Sequence, residues 1–230
     1  MTSLEFTSLP LNEVRLMLRP AESKISLPIQ ILVQVQASMR ADFPILQHFM
    51  CETGPGVAFE LYAGPGPGLV AASEDGAMSC SLLAGAAEVK WRRVGVSSYP
   101  GFGPLYEFLG RLVNQVTPSL DISTIVYVNV VECDEGETLD DYFTLPSTVP
   151  SDNLKELNIS QVVERNGGGY EFRIQTGRAS ATSWVFTTSC GTREDKMALN
   201  DLIEVHDVCN EMFLSLLTDH AKKKFGHKPC

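Results

Sequence analysis

The chain has 230 residues, 44% hydrophobic and 20% charged, which suits one substantial core or two small fused ones and excludes a disordered or fibrous polypeptide. Its formal charge of −10, from 28 acidic and 18 basic residues, disfavours direct nucleic-acid binding, because Lys and Arg must neutralise phosphates and release counterions. No apolar run reaches the roughly 20 residues of a membrane-spanning helix; the longest are cut by Gln34 and Gln36, or by Asn129.

The opening Met1-Thr2-Ser3-Leu4-Glu5 has neither the basic nor the apolar stretch of a secretory signal, so a cytoplasmic location without membrane attachment is expected. The six cysteines, Cys51, Cys80, Cys133, Cys190, Cys209 and Cys230, contain no C-x-x-C pair. They are expected to be reduced, mostly buried small hydrophobes.

The first element is a half-buried strand from Leu11 to Leu18, in which Val14, Leu16 and Leu18 alternate with Glu13, Arg15 and Met17 until Pro20. Residues 27–40 fit two readings. Ile29, Ile31, Val33 and Val35 alternate with glutamines as in a strand, yet Ser26 with Pro28 also suits a helix start. Gly54-Pro55-Gly56 and Gly64-Pro65-Gly66-Pro67-Gly68 isolate a short strand, Val57 to Tyr62, and the second stretch reads as a surface insertion.

Leu69 to Ala72, Met78 to Leu83 and Ala87 to Val94 form an antiparallel meander, with Asp75-Gly76 and Ala84-Gly85 at the turns. Leu105, Phe108, Leu109, Leu112, Val113 and Val116 have helical spacing between Pro104 and Pro118. Thr124 to Val131 is apolar or β-branched at nearly every position, which predicts an interior strand covered on both faces. The run Glu132 to Glu137 follows as a solvated acidic turn.

Ile159 to Arg165, Tyr170 to Gln175 and Ser183 to Thr188 predict three more strands, the first two joined by Asn166-Gly167-Gly168-Gly169. A long helix is expected from about Arg193 to Lys224, capped by Thr192 and closed by Gly226. Lys222, Lys223 and Lys224 complement the negative end of its dipole. The whole reads as α+β: antiparallel meander sheets with segregated helices in a single compact unit, 1–230. Two pseudo-repeated strand-plus-helix halves, about 1–135 and 136–230, are expected within it.

The sharpest enzymatic candidate is Asp75 with Glu88-Val89-Lys90, since metal-dependent nucleases hold Mg²⁺ with an Asp and an E-x-K pair on adjacent strands. Against it, Asp75 sits in an Asp-Gly turn with a local task, E-x-K is common by chance, and the acidic surface suits a nucleic-acid substrate poorly. His206 and Cys209 share a helix face, with His220 further along, but zinc needs three or four ligands, so packing in a buried stripe is the favoured reading. There is no G-x-S-x-G elbow, Gly167-Gly168-Gly169 lacks the Lys of a phosphate loop, and the acidic run 134–141 lacks the calcium-loop pattern. No metal or cofactor is expected. Tyr62, Phe172 and Trp184 could line a small-ligand pocket, though ordinary core packing explains them as well.

Several short segments in order resemble a family: Leu9-Pro10-Leu11-Asn12-Glu13-Val14, Asp42-Phe43-Pro44, Trp91-Arg92, Tyr99-Pro100-Gly101 and Tyr127-Val128-Asn129. This is a sporadically distributed bacterial family of conserved hypothetical proteins (a TIGR family). It runs from a P-L-x-E-V start through W-R and Y-P to a Y-V-N strand and a long helix with a central aromatic, which Phe213 matches. The resemblance covers most of the chain. Departures are Lys90, where an Asn commonly precedes Trp-Arg, and the Gly/Pro-rich insertion. It favours helix for 27–40 and carries over no activity, cofactor or catalytic residue.

A shared binding surface around Arg92, Tyr127 and Asn129 is one reading of the matching residues, and structural support at element junctions is the favoured one. The family's patchy occurrence resembles that of genes on mobile or defence-related islands. The expectation is therefore a non-enzymatic binding protein with a protein partner, such as a neighbouring gene product, in an accessory or antitoxin-like role. The alternatives are the Asp75, Glu88 and Lys90 nuclease and a small-ligand binder. The oligomeric state stays open.

Overall fold

The computed structural model describes residues 9–20, 25, 27–50, 67–114, 120, 122–144, 156–166, 168–180, 182–193, 199 and 201–227. The anticipated strand at Val57 to Tyr62, the cap Ser26 and the pocket candidate Tyr62 lie outside these residues. The class is α+β, with antiparallel strand pairing. The chain divides into two compact units: Arg15–Ser123 with Glu194–Leu199, and Met1–Val14, Thr124–Arg193 and Asn200–Cys230. They are called the meander unit and the hairpin unit. Strand β1 (Leu11–Arg19) contributes residues to both; its Val14, Leu16 and Leu18 are buried as the alternation requires, and Leu11 is buried as well.

The meander unit contains α1 (Ile29–Met39), β2 (Ile45–Met50), β3 (Gly68–Ala72), β4 (Met78–Leu83), β5 (Ala86–Arg92) and α2 (Phe102–Val113). Its strands pair in the order β2-β3-β4-β5. One face carries Leu69, Ala71, Cys80, Leu82, Ala87, Val89 and Trp91, all buried, and takes Leu105, Leu109 and Leu112 of α2 into the same core. Each of the Leu and Val side chains among them contributes on the order of 1.5–3 kcal/mol when removed from water. Phe43 meets Phe108 edge-on at 5.2 Å, and Arg111 both stacks on Phe108 and reaches Asp42 at 2.6 Å.

Residues 29–39 are helical, because Leu32, Val35 and Met39 then form one buried stripe, while the Pro28 carbonyl accepts from the Ile31 and Leu32 amides. A sequence with period two cannot bury all its apolar residues in a helix. Ile29 and Val33 are accordingly left 42% and 49% exposed.

The hairpin unit contains β6 (Ile122–Glu132) from Thr124 onward, α3 (Leu139–Tyr142), β7 (Glu156–Arg165), β8 (Gly168–Arg178), β9 (Ser183–Thr192), α4 (Asp201–Leu216) and α5 (Asp219–Lys224). Its ladder runs β6-β9-β8-β7. Tyr170, Phe172, Ile174, Trp184, Phe186 and Cys190 are buried, as are Leu202, Val205, Val208, Cys209 and Phe213 of α4. Phe143 stacks on Phe186 at 3.8 Å and both lie 6.2 Å from Phe213.

Two expectations are corrected here. Strand β6 is not covered equally on both faces: Ser123, Ile125, Asn129 and Val131 are buried, but the alternate residues are half-buried. The C-terminal helix is not continuous from Arg193 to Lys224. Helix α4 starts at Asp201 and ends at Leu216; Leu217 then bridges to Phe143 as an extended residue, and Thr218 caps α5 by accepting from the Ala221 amide. The cap and bridge satisfy backbone groups that an unbroken helix would have paired internally. Gly226, with φ 66°, closes α5. No helix among the described residues is long and apolar enough to cross a membrane.

Candidate functional site

Asp75 lies in the β3–β4 turn that Gly76, at φ 68°, makes possible. Its carboxylate accepts from the Ser73 hydroxyl at 2.6 Å and the Ala77 amide at 2.9 Å, and these bonds, the Ser73 one foremost, hold its pKa below the ordinary value. Glu88 and Lys90 occupy the β5 face opposite buried Ala87, Val89 and Trp91, across from Ser81 and Ser79 of β4. Glu88 and Lys90 therefore share one strand face, while Asp75 is engaged in its turn. Among the described residues no group of three or more His, Cys, Asp or Glu side chains could hold a metal ion.

At the end of β5 the chain makes a tight turn. Trp91 is buried and its ring sits 5.3 Å from that of Tyr99, whose phenol burial pushes to higher pKa. The Arg92 amide donates to the Ala77 carbonyl at 2.7 Å, leaving the side chains of Arg92 and Arg93 exposed. The Val94 amide donates to the Ser97 hydroxyl at 2.8 Å and the Ser97 amide to the Val94 carbonyl at 3.0 Å, with Gly95 at φ 57°. This fixed turn holds Val96 at 104% exposure.

In the hairpin unit, Tyr127 and Asn129 project from the core face of β6. Tyr127 is opposite Thr188, and its ring lies 6.4 Å from that of His206 on α4. Asn129 is opposite Phe186 and 1% exposed, and its side-chain oxygen has no hydrogen-bond partner among the described residues. The Thr176 hydroxyl is in the same position. Burial lowers the His206 pKa against the opposing pull of Asp207, and Asn210 contacts the ring at 3.1 Å. Cys209 is fully buried and its thiol is pushed well above the ordinary range. His220 belongs to α5 and reaches Glu137 at 2.9 Å. Of the pocket candidates, Phe172 and Trp184 are buried in the unit's core, with Arg178 over the Trp184 ring at 5.2 Å.

One cluster was not anticipated from the sequence. Lys224 donates to Asp134 at 2.7 Å, to Glu137 at 3.0 Å and to the Tyr142 hydroxyl, and lies 4.8 Å over the Tyr142 ring. Tyr142 donates to Glu137 and is 3.2 Å from the Glu132 carbonyl. The Tyr142 bond, with the Asp134 amide and Lys224, brings Glu137 down to about 2. Burial, reinforced by Glu137, pushes Tyr142 up to about 12. Burial opposes the Lys224 charge, but the bonds to Asp134, Tyr142 and Glu137 outweigh it and its pKa rises. The three groups rest as ammonium, carboxylate and neutral phenol, which suits a clamp between the acidic turn and α5 rather than proton transfer near neutrality. The sequence signal was the pairing of an acidic run with a lysine run, which helix-dipole reasoning had already absorbed.

The thiols of Cys80 and Cys190 are pushed up to about 12 by burial, and together with Cys133 and Cys209 they are free. Comparison with family models, with curated proteins and with solved structures finds no match to the chain.

Proposed function

We propose that the chain is a non-enzymatic interaction protein of the bacterial cytoplasm. Its partner is a protein, the product of a neighbouring gene in a defence or mobile-element locus, where the chain acts as an accessory or antitoxin-like component. The observation that carries this reading is the distribution of exposed apolar groups. Among the described residues, every exposed large hydrophobic except Val162 lies in the meander unit: Ile29, Val33, Ile45, Leu46, Phe49, Val94 and Val96. Their concentration in one unit supports a contact surface on that unit.

Within that unit the 93–97 turn is the contact assigned to the partner. A hydrogen-bonded turn pays little ordering entropy on binding, and Val96 beside Arg92 and Arg93 fits a shallow apolar depression rimmed by carboxylates. The test is co-expression with each neighbouring gene product, followed by affinity purification of wild type, Val96→Glu and Arg92→Glu. Loss of about 1.5–3 kcal/mol of Val burial predicts at least tenfold weaker association for Val96→Glu. Equal recovery of the partner by all three proteins would count against the turn. A lone monomer with metal-stimulated hydrolysis would sink the whole reading.

A further inference from the structure

Asn166 is followed by Gly167, and it is the one asparagine of the chain with a glycine after it. Asparagine is among the chemically labile residues, and a following glycine leaves its side-chain amide least hindered. The ladder fixes where this step lies. Arg165 pairs with Gly168, so residues 166 and 167 alone connect β7 to β8, and Asn166 has the positive φ, 51°, that a two-residue hairpin connection requires. The residue is exposed, so water and hydroxide reach it, unlike Asn129 in the core of the same unit.

A strong contact holds its side chain. Asn166 Nδ2 donates to Glu204 Oε1 of α4 at 2.5 Å. The same carboxylate lies 4.0 Å from Arg165 Nε and accepts from the Tyr170 hydroxyl. Glu204 thus fastens the end of the β7–β8 hairpin to the helix.

From this placement we infer that Asn166 is a site of spontaneous deamidation, that its bond to Glu204 sets the rate, and that the reaction unfastens the β7–β8 turn from α4. The Gly167 nitrogen gives up its proton and attacks Asn166 Cγ. A nitrogen–carbon bond forms, the Cγ–Nδ2 bond breaks, and Nδ2 leaves as ammonia, taking up a proton in place of the one lost. Water then opens the resulting cyclic imide at either carbonyl, giving aspartate or isoaspartate at position 166. Nothing is oxidised or reduced. While Nδ2 donates to Glu204, the amide is drawn toward α4 and away from the chain nitrogen. A hydrogen bond to an ionised acceptor is strong enough to confine the reactive orientation to about one tenth of the time or less.

The product cannot remake the contact, because its carboxylate has no proton to donate and stands beside that of Glu204. Asp207 and Glu211 follow on the same helix, and the Arg165 guanidinium, 2.9 Å from Glu211, is already shared among these three acids. Repulsion between like charges then favours release of the turn. The isoaspartate form also lengthens the backbone inside a connection of two residues, which the Arg165–Gly168 pairing does not accommodate.

Incubation of the full chain at neutral and at mildly alkaline pH tests this, with digestion by a glutamyl endopeptidase and mass spectrometry of the 165–171 peptide. Digests taken at zero time correct for conversion during preparation. In the folded wild type, position 166 is expected to turn into acid product, faster at the higher pH, while Asn158 and Asn210 stay intact. Glu204→Ala should convert about tenfold faster. Glu204→Gln, whose amide oxygen still accepts from Nδ2, should stay closer to wild type. Circular dichroism and a urea melt show which variants are folded; should Glu204→Ala not fold, Glu204→Asp, which keeps the charge but shortens the reach, is expected to convert faster than wild type. Asn166→Asp fixes the product, and its Arg165 and Gly168 amides should exchange hydrogen faster than those of wild type. The inference is overturned by a folded wild type in which position 166 converts no faster than Asn158. Conversion indifferent to loss of the Glu204 contact, or unchanged exchange in Asn166→Asp, overturns it equally.

Discussion

Replacing Thr176 by Val is expected to stabilise the protein, contrary to the usual direction of a core substitution. Thr176 is 3% exposed on the inward face of β8, opposite Phe186 of β9 and Leu157 of β7. Its hydroxyl has no hydrogen-bond partner among the described residues. Burying a hydroxyl without a partner costs about 1–3 kcal/mol on mutational scales. Valine keeps the shape and the β-branching and offers a methyl to those apolar neighbours. The net gain should be about 1–2 kcal/mol, or about 2–8 °C in Tm for a chain of this length. Urea denaturation followed by tryptophan fluorescence, together with a thermal melt, measures it, with Thr187→Val on the outward face as a control expected to change by less than about 0.5 kcal/mol. If Thr176→Val instead lowers stability by about 1 kcal/mol or more, the hydroxyl is satisfied and the reasoning is refuted.

Phe186→Ala removes the ring that stacks on Phe143 and contacts Phe213, and should destabilise by about 3–5 kcal/mol in the same urea assay. Thr218→Ala deletes the cap of α5 together with the hydroxyl contact to the Asp141 carbonyl; a loss of about 0.5–2 kcal/mol is expected, and the hydrogen exchange of the Ala221 amide should quicken. Glu137 has its folded pKa lowered from 4.5 to about 2, so its contribution is fully present above about 4.5 and fades as pH falls towards 2. Wild type and Glu137→Gln should therefore differ in urea midpoint at pH 6, with the gap narrowing below pH 4.5 and closing only below about pH 2; a gap that is the same at pH 6 and near pH 2 would contradict the linkage. With Mg²⁺ or Mn²⁺, the wild type is expected to leave DNA and RNA intact. Cleavage that Glu88→Gln abolishes would revive the Asp75, Glu88 and Lys90 reading.

Local pattern was enough for much of the ladder. The alternation in Leu11 to Leu18, the Asp75-Gly76 turn and the spacing of Leu105, Leu109 and Leu112 each reflect short-range rules, and β1, the β3–β5 meander and α2 follow them. Residues 27–40 were legible only as an ambiguity, since the same apolar residues satisfy either period until a neighbouring layer chooses one. For the candidate site, the local role of Asp75 could be read from its turn, and the shared face of Glu88 and Lys90 from their spacing. The clamp of Lys224 with Asp134, Glu137 and Tyr142 could not, because Lys224 lies 82 to 90 positions from the other three.

Composition and periodicity by themselves determined the class of the chain, the main meander and the place of most buried apolar residues, because side-chain direction in a strand or helix repeats over two to four positions. Tertiary structure alone decided where the C-terminal helix breaks. The Phe143 bridge and the Thr218 contact to Asp141 come from residues more than seventy positions away, and their bonds compete with continued helix. It also decided the phase of β2, since an inserted residue shows its effect only against the register of the strand beside it.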